Sequence, residues 1–207
     1  MPPQVLDQFD SVLVWFRRDL RLDDHTALST ALKHAKHVHA AFVFDTAILA
    51  KLPRQDRRVA FIHASLHELD AAWRERAANT EAGLLVRHGE AIHEMVQLAQ
   101  HLGVQAVFTH HDDEPEALAR DAQVRGSLAN HGIAFHSFKD HVVFERSEVL
   151  TLSGTPYGCV HAVQKRLVEK SHACRFSGTT DTSPDRSIGQ HPQGLAPAHP
   201  QLAGHGF

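Results

Sequence analysis

Apolar residues arrive along the chain in short unbroken runs, separated by longer stretches in which they recur every three or four positions. The runs are Ser11 to Phe16 (SVLVWF), Val38 to Phe44 (VHAAFVF), Gly83 to Arg87 (GLLVR), Gln105 to Thr109 (QAVFT) and Ile133 to Phe138 (IAFHSF). Each is brief and rich in β-branched or aromatic residues, as expected of strands buried on both faces. Helical patterns lie between them. Leu28, Ala31, Leu32 and Ala35 follow the first run, with Asp24 placed to cap their helix. A long helix opens at Arg58, after Pro53, and carries Val59, Ile62, Leu66, Leu69 and Trp73. Ile92, Val96 and Ala99 mark the next, ended by Gly103, and the last spans roughly Pro115 to Asn130 and stops at Gly132.

Strands alternating with helices predict a parallel sheet with right-handed crossovers and helices on both faces. The expected fold is α/β, a doubly wound, Rossmann-like five-stranded parallel sheet in the order 3-2-1-4-5. Ligands of such sheets bind beyond the carboxyl ends of the strands where the order reverses, here between strands one and four. The character changes after about Thr151. Val160 to Lys170 keeps a helical pattern, but from Ser171 the chain is rich in Ser, Thr, Pro, Gly and His. Too little apolar area remains to offset the entropy of ordering, so a poorly ordered C-terminal tail is expected. The predicted organisation is an extension at 1–10, the α/β domain at 11–140, the start of an interdomain linker at 141–158 and the tail at 159–207.

Composition narrows the function classes without choosing among them. Of 207 residues, 43% are hydrophobic, too many for wholesale disorder, and a formal charge of −3 gives no overall attraction to nucleic acid. No apolar stretch approaches the ~20 residues that span a bilayer, and the N-terminus lacks a signal-peptide core. A cytoplasmic protein without membrane contact is expected. Cys159 and Cys174 form no metal-binding or redox pattern. His63 and His67 with Glu68, and His110-His111-Asp112-Asp113, are the nearest approaches to a metal motif among 19 histidines. With no third or fourth converging ligand in view, no metal is expected, and the histidines are read as solvated helix faces and loops.

The first strand-to-helix junction is more informative. It reads Arg17-Arg18-Asp19-Leu20-Arg21-Leu22-Asp23-Asp24, without the glycines that bring backbone amides to a pyrophosphate. Alternating arginines and aspartates instead suit charge-assisted hydrogen bonds that hold another protein surface. With Trp15-Phe16 before it, the string closely resembles the opening signature of the photolyase/cryptochrome family. Further resemblances follow in order: Phe42-Val43-Phe44-Asp45, Arg58-Val59-Ala60-Phe61-Ile62, Asp113-Glu114-Pro115 with Arg120-Asp121, Phe138-Lys139-Asp140 to Val149-Leu150-Thr151, and Gly154-Thr155-Pro156-Tyr157. Together they cover residues 11 to 158.

The resemblance implies the N-terminal antenna domain of a bacterial deoxyribodipyrimidine photolyase, a flavoprotein that repairs cyclobutane pyrimidine dimers in DNA with light. In that family the α/β domain holds a light-harvesting chromophore, a deazaflavin or reduced folate. A larger helical domain binds FAD and the flipped-out lesion. That helical domain is not recognisable here, so this chain alone is expected to lack repair activity and to bind no nucleic acid. By resemblance, Arg58, Asp113 and Glu114 are the candidate antenna-binding residues, and Arg17, Arg18, Asp19 and Arg21 lie toward the interface with the helical domain. Asp113 with Glu116 also fits a capping box, with Pro115 in the first turn. Folate-binding relatives commonly show an Asn-Glu pair where this chain has Glu116-Ala117, which argues against folate. A cryptochrome-type photosensor and a standalone antenna or nucleotide-binding module are the alternative readings.

Beyond Gly158 the protein-level resemblance fades. The family continues with a segment like VFTPYKNAWLKK, whereas this chain reads Cys159-Val160-His161-Ala162-Val163-Gln164-Lys165-Arg166-Leu167-Val168-Glu169-Lys170. One permitted back-translation of these residues, read from its second base, gives VFTPYKNAWLK. A one-base frameshift near residue 158, and hence a truncated product, is the expectation that follows. Cys159, Cys174 and the tail histidines then carry no selected chemistry.

Overall fold

β1 (Phe9–Phe16), β2 (Ala35–Asp45), β3 (Leu84–Gly89), β4 (Ala106–His110) and β5 (Ala134–Phe138) form one sheet. Every neighbouring pair is parallel, in the predicted order β3-β2-β1-β4-β5. The structure, a computed structural model, describes residues 8–77, 82–140, 142, 149–151 and 153–173. Its helices are α1 (Thr26–His34), α2 (Thr46–Leu49), α3 (Arg57–Ala77), α4 (Ala91–His101), α5 (Pro115–Ala129) and α6 (Val160–Ala173).

Side chains alternate along β1 because successive Cβ atoms point to opposite faces. Val12, Val14 and Phe16 pack with Ala27 and Leu28 of α1 and with Leu66, Leu69 and Trp73 of α3. Leu13 and Trp15 pack on the other side with Met95 and Leu98 of α4 and Val124 and Leu128 of α5. Both faces of β1 are covered, which explains its uninterrupted apolar run. The reversal of strand order sets the carboxyl ends of β1 and β4 side by side, with Trp15 paired to Ala41 on β2 and to Thr109 on β4.

Local signals placed the elements well, and the departures concern caps and edges. Gly103 and Gly132 follow α4 and α5 with φ of 62° and 71°, in the left-handed region that glycine enters without steric cost. β2 begins at Ala35, earlier than its apolar run, because Lys36 and His37 are exposed strand residues. α2 was not expected; the Asp45 side chain caps it by accepting from the Ala47 N–H at 3.0 Å. The cap of α1 is His25 rather than Asp24: His25 Nδ1 accepts from the Leu28 N–H at 3.0 Å, while Asp24 takes a φ of 50°. The start of α5 is also displaced from the expected Asp113–Glu116 capping box, because its N-cap position falls on Glu114 rather than Asp113. Glu114 is the N-cap of α5 without a side-chain bond, its N–H donates to Asp112 Oδ1 at 3.1 Å, and Glu116 meets Lys51 at 2.5 Å. α6 starts at Val160 as expected and runs past Lys170 to Ala173. Residues 174–207 of the expected tail, and residues 141, 143–148 and 152 of the expected linker, lie outside the described residues.

Candidate functional site

Two polar constructions meet at the carboxyl ends of the strands. The first is buried. Asp19, early in the first junction, is 3% exposed, and its Oδ1 accepts from the Arg17 N–H at 2.7 Å. Its Oδ2 lies 2.6 Å from His110 Nδ1 and 2.8 Å from His25 Nε2. The remaining nitrogens of both rings face the start of α1: His25 Nδ1 takes the Leu28 N–H and His110 Nε2 takes the Ala27 N–H, each at 3.0 Å. These partners fix the tautomers, with the His110 Nδ1 proton bonded to the carboxylate and the His25 Nε2 proton lying near it, 2.8 Å away but out of hydrogen-bond alignment. Among the described residues this trio also forms a cluster whose ligating atoms lie within 4.8 Å of one another. A metal taken by those two nitrogens would push each ring proton to the opposite side, against a backbone N–H. The cluster is therefore built as a helix cap anchored on a carboxylate. Its histidines, expected on solvated surfaces, are among the most buried polar residues of the domain.

The cluster makes stability depend on pH. Burial pushes the His25 imidazole below its ordinary 6.5, outweighing the pull of Asp19. Burial alone would raise the Asp19 carboxyl, but the hydrogen bond from His110 and the adjacent His25 ring hold it well below the usual carboxylate range. The unfolded chain thus binds a proton at His25 that the folded one refuses, so stability falls as pH drops below about 6.5, by up to about 1.4 kcal/mol per pH unit. The Asp19 contribution is full above 3.8 and is lost as pH falls below it. Urea midpoints measured from pH 7.5 down to pH 5 should decline, and His25→Asn, an ordinary cap residue, should flatten that decline. An unchanged slope in the variant would remove His25 as its source.

The second construction is a cavity of about 520 Å³ between the ends of β1, β2 and β4, closed by α2, the start of α3 and the start of α5. Its walls are largely apolar. Phe42, Val43 and Phe44 come from β2, and Ile48, Leu49 and Ile62 come from α2 and α3. Trp15 also lines it, with the guanidinium carbons of Arg17 and Arg120 at 4.9 and 5.7 Å from its ring centroid. Such positions bring cations onto the negative face of the indole. Size, apolar walls and a few polar groups match small-molecule sites in general.

Most charged groups of the lining are matched by carboxylates. Arg17 Nη1 meets Asp121 at 2.7 Å, and its Nη2 donates to the His110 carbonyl. Arg18 meets Glu114 at 2.8 Å and Asp112 at 3.3 Å, and its guanidinium is raised chiefly by the bond to Glu114. Arg58 grips Asp56 at 2.6 Å, and that hydrogen bond holds the Asp56 carboxyl down to about 2. Arg120 differs. Its Nε is buried with no hydrogen-bond partner among the described residues, and its nearest carboxylate oxygens, on Asp45 and Asp121, are 3.7 and 3.8 Å away. Those separations exceed hydrogen-bond reach.

Of the residues the sequence pointed to, Arg58 and Glu114 line this cavity together, and Arg17 and Arg18 line it with them. Asp113 stands outside the lining. Asp19 turns inward to the histidines, and Arg21 donates to Asp140 and, at 2.8 Å, to the Asp24 carbonyl. Trp15, Asp45, His25 and His110 were not foreseen in these roles. Their local signals read as strand interior, strand-end acid and surface histidine, and only their neighbours reveal otherwise.

The family model described as DNA photolyase matches residues 12–184. The chain belongs to the DNA photolyase family. This photolyase-family chain is 33% identical to the deoxyribodipyrimidine photo-lyase of a Synechococcus strain over 146 residues, which cover 70% of the chain and 29% of that protein. The corresponding protein of Halobacterium salinarum is 35% identical over 154 residues, covering 70% and 31%. A solved archaeal photolyase from Sulfolobus tokodaii, holding two FAD molecules, has a TM-score of 0.61 at 30% identity and covers 68% of this chain and 32% of that one. The chain therefore spans about 30% of the length of these curated photolyases. The family match continues past Gly158, where residue-by-residue resemblance fades. No helix among the described residues is long and apolar enough to cross a membrane.

Proposed function

We propose that this domain is the antenna unit of a cytoplasmic, light-driven DNA photolyase, and that the cavity between β1, β2 and β4 holds the antenna chromophore. The observation that carries this reading is the cavity itself. It lies at the switch point of the sheet, has apolar walls, and brings Arg58 and Glu114 together from segments far apart in sequence. A planar heteroaromatic ring of the deazaflavin, flavin or reduced-folate kind fits its size and its mixture of apolar and polar walls. When bound, such a group absorbs light and passes the excitation on. Phe42 and Phe44 exclude water from its faces, and the paired rim charges orient its polar edge. The Sulfolobus photolyase, with two FAD molecules, supports a flavin-type occupant. Splitting of the pyrimidine dimer, with FAD as electron donor and damaged DNA as partner, is proposed for the whole protein through its helical domain.

Titration of the chain with riboflavin, 5-deazariboflavin and methenyltetrahydrofolate tests the assignment. At least one should bind saturably and lose fluorescence on binding. Glu114→Ala frees Arg18 and opens the rim, and should weaken binding about five- to tenfold, the worth of one ordinary hydrogen bond. Absence of saturable binding by all three compounds would sink the antenna reading. An unchanged dissociation constant in the variant would remove only Glu114.

A further inference from the structure

We propose that Arg120 is the ligand-gripping residue of the cavity, a guanidinium held ready for oxygen acceptors on the occupant, either ring carbonyls or a phosphate. The inference rests on the reading of the cavity as a chromophore site and adds the chemistry by which the occupant is held. Four other cations of the lining, Arg17, Arg18, Lys51 and Arg58, each hydrogen-bond or ion-pair to a carboxylate within 2.8 Å. Arg120 has no such partner, although its side chain is only 16% exposed.

A buried donor without an acceptor is costly, and the Arg120 Nε–H has given up water without finding a partner among the described residues. The cost is visible in the molecule: burial pulls the Arg120 guanidinium below its ordinary value, and the neighbouring charge of Arg17 adds to the effect. Asp45 does not close the gap: its Oδ2 stops 3.7 Å from Arg120 Nη1, beyond hydrogen-bond reach, while its Oδ1 takes the Ala47 N–H at the cap of α2. Asp121 is committed to Arg17. What remains is a fork of donors lying 5.7 Å from the centre of the Trp15 ring and lining the cavity. A ligand ring packed near Trp15 with carbonyls on one edge, or a ligand phosphate, supplies the missing acceptors. Guanidinium geometry matches either in bidentate fashion. Lysine, a point charge, does so less well.

Riboflavin and FMN, which differ by one phosphate, separate the two sources. Their dissociation constants are measured on the unsubstituted chain and on Arg120→Gln and Arg120→Lys, with urea midpoints recorded for each. The expected result is a loss of about tenfold or more in Arg120→Gln, with part of the affinity retained in Arg120→Lys. Equal loss for both compounds places the acceptors on the ring, and loss for FMN alone places them on the phosphate; both outcomes support the proposal. Undiminished binding of both compounds to a folded Arg120→Gln overturns it while leaving the cavity reading intact. Failure of the unsubstituted chain to bind either compound overturns the flavin-type occupant and this inference with it. Should Arg120→Gln fail to fold, Arg120→Lys decides alone, because full affinity in it excludes a role for the fork.

Discussion

Replacing Asp19 by alanine is expected to destabilise the domain by about 3–5 kcal/mol, the range seen when one partner of a buried charged network is removed. The carboxylate receives the Arg17 N–H and lies within 2.8 Å of ring nitrogens on both His25 and His110, whose side chains are 0% and 2% exposed. Without it, two imidazole N–H groups are left in an apolar surround, each costing about 1–3 kcal/mol. The loss propagates to α1. Once the rings lose their anchor, their other nitrogens no longer stay fixed beneath the Ala27 and Leu28 amides, and a lost cap adds about 1 kcal/mol. Asp19→Asn keeps one acceptor but turns an amide toward a ring proton, and should fall between the two. Urea unfolding of the chain measures the loss, and amide exchange at residues 27 and 28 reports the cap. A loss below about 1 kcal/mol for Asp19→Ala would show that water or neighbouring groups take over the histidine protons.

Trp73→Ala is expected to cost a similar amount, about 3–5 kcal/mol for a fully buried large aromatic. α3 is a long helix whose fully buried residues are Leu66, Leu69 and Trp73. Trp73 is 1% exposed and meets the Phe16 ring edge-on, with centroids 6.2 Å apart. Docking of the whole helix therefore leans on few contacts, and Trp73 is the bulkiest of them. The same helix carries Arg58, Val59 and Ile62 to the cavity wall, so its loosening should weaken chromophore binding as well as stability. Phe61 provides the contrast. It lies on the same helix but is 72% exposed, and Phe61→Ser should change the unfolding midpoint little. Comparable losses for Trp73→Ala and Phe61→Ser would show that α3 is not held by its buried stripe.

Sheet order and helix placement were legible because both follow from local hydrophobic periodicity. β1 reads as an unbroken run because α1 and α3 cover one face and α4 and α5 the other. Gly103 and Gly132 announced two helix ends through their own backbone freedom. α2 was missed because four residues carry too little pattern, and its signal is a single capping contact from Asp45. Asp24 was preferred to His25 as a cap because aspartate usually serves there. The preference failed because Asp19 supplies a carboxylate that makes the His25 ring a better acceptor for the Leu28 amide.

The sequence alone determined the α/β class, the strand order, the switch point at which a ligand would sit, and a family resemblance concentrated in the first junction. These depend on the spacing of apolar residues and on a contiguous string, both properties of neighbours in the chain. Tertiary structure alone decided which charges are committed. Arg17, Arg18, Arg58 and Arg120 look alike in sequence, yet Arg17 finds Asp121 across 104 residues while Arg120, beside that same aspartate, is left without a hydrogen bond at Nε. The pairing of a charge depends on which distant element is packed against it, and burial sets what an unmet donor costs. His110 shows the same division. Its sequence neighbours suggest a polar loop, but the β4 register brings it beneath α1, where Asp19 fixes its proton.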